Sequence, residues 1–146
     1  MAALRRRGTR RLRLERVARR VLAWEGAPEA RVDLTLLDAR AMRRLNARVS
    51  GRRRLTDVVA FALPQPEGGL VGDVYICPAA AARWVANGGG RRPGRAARLD
   101  EELIRLAVHG TLHVLGYDHP AGPGRTRSGM WRRQERYVRR LVGGDG

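Results

Sequence analysis

The sequence contains no lysine and little that is acidic or aromatic. All 30 of its basic residues are arginine, against 14 acids, so the formal net charge is +16 over 146 residues. That balance disfavours cationic partners and points to a polyanion, nucleic acid first. Aromatic residues make up only 5% of the chain, which leaves no aromatic-rich surface for base stacking. The single cysteine, Cys77, excludes an intrachain disulfide and fits a reducing compartment. No apolar run approaches the roughly 18 residues that span a bilayer. The arginine-rich start lacks the continuous apolar stretch of a secretory signal. A cytoplasmic location is expected, with no membrane partner and no nucleotide cofactor.

What is present suffices for one domain with a core, at 43% hydrophobic content. Residues 1–11 read as a basic flexible leader, 12–142 as a single domain and 143–146 as a frayed tail. Leu14, Val17, Ala18, Val21 and Leu22 recur at helical spacing, predicting a helix over 12–24. Val32, Leu34 and Leu36 alternate with Asp33 and Thr35, predicting a strand over 30–37. Asp38 is a suitable N-cap for a helix to about Arg48. Strands are expected over 56–63 and 70–77, paired as a hairpin across the Pro64–Gly69 break. Pro78 suits the first turn of a short helix. Asp100 is expected to cap a long helix running to about Leu115. That helix is apolar around most of its circumference and should lie at the centre of the fold. A last helix is expected over 128–142. Together these elements predict an α+β domain, a small mixed sheet packed with helices.

Histidine is also scarce, and concentrated. The chain has three, His109, His113 and His119, all within thirteen residues. His109 and His113 lie one turn apart on one helix face. Gly116 suits a left-handed helix stop, after which His119 can turn back toward them. Three neutral imidazoles with an open fourth position are the ligand set of a catalytic metal, zinc first. The spacing His-x-x-x-His-x-x-Gly-x-x-His is that of the metzincin metalloproteases. Those enzymes place a general-base Glu directly after the first His, where this chain has Gly110. The geometry is therefore zincin-like, whereas peptidase chemistry is disfavoured. Asp118, beside the third ligand, can orient a nucleophile or support a ligating imidazole.

The block from His109 to His119, with Gly110, Leu112, Leu115, Gly116, Tyr117 and Asp118, resembles the signature of the YbeY family of metal-dependent endoribonucleases. Leu45-Asn46, Thr56-Asp57-Val58-Val59 with Phe61, Gly72-Asp73-Val74, and Met130 with Glu135 extend the resemblance across residues 30–142. It implies a zincin-like fold and one zinc ion per chain, held by His109, His113 and His119. It also implies a single-strand-selective endoribonuclease acting on the three-prime end of small-subunit ribosomal RNA and in ribosome quality control. The implied partners are single-stranded rRNA and the ribosome with its small-subunit proteins.

Four departures stand out. Ser50 replaces a functional arginine of the family, Leu55 a proline, Arg53 an aspartate and Ala60 a serine. Arg52 is the preferred substitute for the missing arginine, with Arg48 and Arg54 as the other choices. The candidate catalytic residues are thus His113, Asp118 and Arg52, and the candidate RNA-binding residues Arg48, Arg52, Arg53 and Arg54. The expected chemistry is metal-assisted hydrolysis of an RNA phosphodiester, by water or by the RNA's own 2′-hydroxyl. A metal-stabilised RNA-binding assembly factor with little catalysis is the alternative, with a metzincin-like metalloprotease behind it.

Overall fold

The architecture follows from one apolar helix and the elements that cover it. In the computed structural model, which describes residues 2–90, 98–118, 124 and 128–143, eight elements occur in the order α1 (Ala2–Trp24), β1 (Arg31–Leu36), α2 (Ala39–Ser50), β2 (Val58–Pro64), β3 (Leu70–Ile76), α3 (Pro78–Ala86), α4 (Leu99–Val114) and α5 (Gly129–Val142). The strands form one mixed sheet in the order β1-β3-β2. β1 runs parallel to β3, with Leu34 opposite Val74, and β2 runs antiparallel to it, with Ala60 opposite Val74. The result is an α+β domain with a three-stranded sheet and five described helices.

α4 is buried along nearly its whole length, from Glu101 to Leu112 and at Val114. It packs against α1, α3, α5 and the sheet. Leu103, Leu106, Val108 and Leu112 of α4 join Val17 and Val21 of α1, Val74 and Ile76 of β3 and Val138 of α5 in one core cluster. Each such side chain adds about 1.5–3 kcal/mol by leaving water.

α4 lies unusually close to β3. A Cβ at Gly110 would stand 2.6 Å from Cγ1 of Val74, and one at Gly72 would stand 2.3 Å from Cγ1 of Val114. The two glycine–valine contacts are reciprocal: four residues of helix rise match two residues of strand, both about 6–7 Å. This approach fixes the depth and rotation of the helix that carries His109 and His113.

Several boundaries differ from the sequence-based expectation. The first helix begins at Ala2 rather than Leu12, so residues 2–11, expected as a flexible leader, are its N-terminal turns. A guanidinium N–H of Arg7 donates to the Leu36 carbonyl at 3.2 Å, tying this part to the end of β1. α4 starts at Leu99, with its N-cap at Arg98 rather than at Asp100. Asp100 instead accepts from the Glu101 N–H at 2.9 Å within the first turn. β2 begins at Val58 and ends on Pro64 rather than before it. An edge strand tolerates a proline there, because no ladder donor is required at its outer side. Asp38 does cap α2, accepting from the Ala41 N–H at 2.8 Å. No described helix is long and apolar enough to cross a membrane.

Candidate metal centre

His109 and His113 project from the same side of α4, with ring centroids 4.6 Å apart and planes inclined at 76°. His109 is 7% exposed, whereas His113 is half-buried. Such a pair presents one buried and one accessible imidazole at a common point.

The proton on His109 can be placed from its neighbours. Nε2 of Gln134 donates to Oε2 of Glu135 at 3.0 Å, so the amide's other end, the carbonyl, faces His109. Nδ1–H of His109 therefore donates to Oε1 of Gln134, at 2.7 Å. Nε2 then carries the lone pair, the form in which an imidazole ligates a metal, and the Nδ1–H bond is the support that ligating histidines characteristically have. Glu135 is itself fixed by Arg105, whose Nε and a terminal nitrogen donate to its two oxygens at 2.8 and 3.0 Å. Arg105 also donates to Glu102 at 3.1 Å and lies 3.9 Å from Glu101. A chain of four side chains thus runs from a buried arginine to the imidazole of His109, joining α4 to α5.

Burial alone would favour a neutral Arg105. The hydrogen bonds and charges of Glu135 and Glu102 outweigh it and raise the guanidinium pKa above its ordinary value. Burial pushes the Glu102 carboxyl upward; Arg105 opposes this without cancelling it, and Asp57 and Glu135 add to it.

A second network holds the turn that follows α4. Gly116 adopts φ +100°. Its N–H donates to His113 O at 3.0 Å, and the Tyr117 N–H donates to Leu112 O at 3.0 Å, a Schellman closure. Tyr117 then hydrogen-bonds Glu25. Glu25 also accepts from Tyr137 and, at 2.8 Å, from Arg133, whose guanidinium lies 5.2 Å from the Tyr117 ring centroid. Burial pushes the Glu25 carboxyl up, but the hydrogen bonds from Tyr117, Tyr137 and Arg133 together hold it below the usual range. The chain leaving Gly116 is therefore aimed by contacts to Glu25, just after α1, and to α5. Asp118 is exposed at the end of this turn, and His119 lies outside the described residues.

Gly110 has a structural reason of its own. Its Cβ direction points into Val74 of β3, so a Glu at this position would enter the sheet. The protease base is absent because helix and strand leave no room for it.

The arginines divide into separate groups. Ser50, at the family arginine's position, donates to Asn46 O at 2.8 Å and accepts from the Arg52 N–H at 3.2 Å. Asn46 Nδ2 donates to Arg54 O at 3.0 Å, folding the loop back on α2. Arg48, Arg52, Arg53 and Arg54 are all exposed. Arg53 shares a cavity with Arg40, Arg43 and Arg44 of α2 rather than with the histidines. Arg91, Arg92 and Arg95 lie outside the described residues.

Sequence reasoning missed Gln134 and Arg105. The available signal was a polar residue on an apolar stripe: Gln134 falls four residues from both Met130 and Val138, all three buried. The donor set of two described imidazoles, one with its tautomer fixed, fits a divalent ion of borderline character. Among the described residues alone no complete metal-ligand cluster forms, His119 being outside them.

The family model described as "Endoribonuclease YbeY" matches residues 5–142. The protein named Endoribonuclease YbeY of Moorella thermoacetica is 40% identical over 123 residues, covering 76% of this chain and 74% of that protein. Its namesake in Micrococcus luteus is 34% identical over 139 residues, covering 89% and 83%. The solution structure of TM1509 from Thermotoga maritima superposes with a TM-score of 0.60 at 26% identity, covering 93% of this chain and 83% of that one.

Proposed function

The chain belongs to the YbeY endoribonuclease family, and from that premise we propose that it is a zinc-dependent endoribonuclease selective for single-stranded RNA. Its substrate is ribosomal RNA, at the three-prime end of the small-subunit species, and its work serves ribosome maturation and quality control in the cytoplasm. Small-subunit ribosomal proteins are its partners, and its catalytic unit, expected over residues 12–142, takes in the whole of α1 as well. The observation that carries this reading is the chain Arg105–Glu135–Gln134–His109, which commits a buried imidazole to the tautomer a metal requires.

His109, His113 and His119 would hold the ion. Zinc bound there supplies a Lewis acid for phosphoryl oxygens and lowers the pKa of bound water to about 7. The chain's own side chains do the remaining work. Asp118, exposed beside the site, orients the nucleophile. Arg52 neutralises charge that develops on the phosphoryl group. Arg48, Arg52, Arg53 and Arg54 hold the backbone on either side.

One observation favours a second reading. The position of the family's arginine is held by Ser50, whose hydroxyl is engaged with Asn46 at the end of α2. A metal-stabilised RNA-binding assembly factor with little catalysis would need no arginine there.

The deciding experiment measures bound metal and compares cleavage of single-stranded RNA and of a peptide by the intact chain and by His113→Ala. Metal-dependent RNA cleavage lost in the variant is expected. Cleavage that survives His113→Ala overturns the site. Full metal content without cleavage selects the assembly factor, and peptide cleavage would restore the protease.

A further inference from the structure

We propose that Arg40, Arg43 and Arg44 of α2, together with Arg53, form a phosphate-binding site that grips the backbone of RNA without reading its sequence. The proposal rests on the reading of RNA as substrate and adds a contact surface formed mainly by helix α2.

Among the described residues, these four arginines line one cavity of about 230 Å3. Arg40, Arg43 and Arg44 share a helix face by their spacing of three and four residues, on a helix whose Met42 is buried on the other side. Arg53 is brought to them by a shaped loop. Gly51 closes α2 at φ +74°, and the Asn46 bond to Arg54 O folds the following residues back. Asp38, the acid at the start of the helix, is used as its N-cap and does not line the cavity. Among the described residues none of the four is in an ion pair.

Four arginines around one cavity that no carboxylate lines repel one another, and an anion between them reduces that penalty. Guanidinium forks match phosphate oxygens two at a time. No described apolar or aromatic side chain lines the cavity, so a lipid tail has nothing to rest on. The chemistry recognised is the phosphodiester itself. Position 53, where the resembling family has an aspartate, is thereby part of this chain's own cationic surface.

The test uses the full chain carrying His113→Ala, so that RNA is bound and not cut. Affinity for a single-stranded oligonucleotide is measured by fluorescence anisotropy across a salt series. Each phosphate contact contributes about 0.7 to the slope of log K against log salt for a single strand. Replacing all four arginines by Gln should therefore reduce that slope by about 2–3. The pair Arg40→Gln with Arg44→Gln should give about half the change. A control with Arg5, Arg6, Arg10 and Arg13 of α1 replaced by Gln removes the same charge and should change the slope far less. Equal effects of the two quadruple variants, or none from the α2 set, overturn the site.

Inorganic phosphate at fixed ionic strength supplies the second arm. A rise in Tm that the α2 variant loses supports phosphate chemistry. A phosphate response with unchanged RNA binding overturns RNA as the ligand. The substituted side chains are exposed and outside the described ion pairs, so the variant's own Tm at low salt should be equal or higher; a lower one overturns the repulsion argument. Intact enzyme that cleaves RNA while the α2 variant binds normally defeats only this site. An intact chain that neither binds nor cleaves RNA defeats the functional reading beneath it.

Discussion

Gly110→Ala tests the packing that positions His109 and His113. Two effects oppose each other. Alanine is favoured over glycine in a helix interior by about 1 kcal/mol. Against that, the new methyl would stand 2.6 Å from Cγ1 and 3.0 Å from Cγ2 of Val74. Ordinary carbon–carbon contact is about 3.5–4.0 Å, so roughly 1 Å must be found. Val74 cannot supply it by rotating, because both methyls are close and the residue is fully buried. α4 must lift from β3, at about 1–3 kcal/mol for an overpacked core. The net expectation is a loss of about 1 kcal/mol, steric cost exceeding helix propensity.

A double-mutant cycle isolates the contact. Val74→Ala alone should cost about 2 kcal/mol, from lost burial and a cavity. Additivity would then place the double variant about 3 kcal/mol below the parent. Because Val74→Ala opens the space that the methyl added by Gly110→Ala needs, the double variant should lose only about 1 kcal/mol. Urea unfolding with a common slope measures all four proteins, and metal affinity reports whether His109 and His113 have moved. A Gly110→Ala variant stabilised by about 1 kcal/mol, or an additive cycle, would refute the close approach of α4 to β3.

Three further outcomes are expected. Gln134→Leu leaves the buried Nδ1–H of His109 without its acceptor, costing about 1–3 kcal/mol. It should also weaken metal binding by about 10–100-fold, measured by competition with a chromogenic chelator. Ser50→Arg removes only exposed hydrogen bonds at the end of α2 and should cost under about 1 kcal/mol. The same variant should raise the rate of RNA cleavage, and no gain would indicate that Arg52 already fills the role. Glu25 is held below the ordinary glutamate pKa of 4.5, so its stabilising contribution is complete above that pH and disappears as pH falls through the lower, folded value. Glu25→Gln should flatten the loss of Tm on acidification below about pH 5, as followed by circular dichroism; an unchanged acid profile would contradict the sign of the shift.

The two polar networks differ in what they stabilise. Arg105 and Glu135 have side chains 8% and 12% exposed, and such pairs often add little over an apolar pair of the same shape. Their value here is positional, because the ion pair fixes which end of the Gln134 amide faces His109. The Glu25 cluster does the same for the turn after Gly116. Both converge on α5, whose Gln134 bonds His109 and whose Arg133 and Tyr137 bond Glu25.

Much of this was written in the chain itself. Residue spacing marked His109 and His113 as neighbours on a helix, Gly116 as its stop, and the run from Leu103 to Val114 as a buried segment, since periodicity and apolar content are local properties. The alternation in β1 and the Asp38 cap were readable for the same reason. Local pattern could not reveal that residues 2–11 continue the first helix, because their apolar face is weak and its ordering depends on contacts such as Arg7 with Leu36. Nor could it explain Gly110, whose meaning lies in Val74, thirty-six residues earlier. Gln134 looked like an ordinary polar residue in α5 until the fold set it against His109. The sequence by itself determined the three histidines, their spacing and the chain's net positive charge. Only the tertiary structure decided the tautomer of His109, the exclusion of a base at position 110 and the grouping of the arginines. Those depend on atoms far apart in the chain meeting at hydrogen-bond or van der Waals distance.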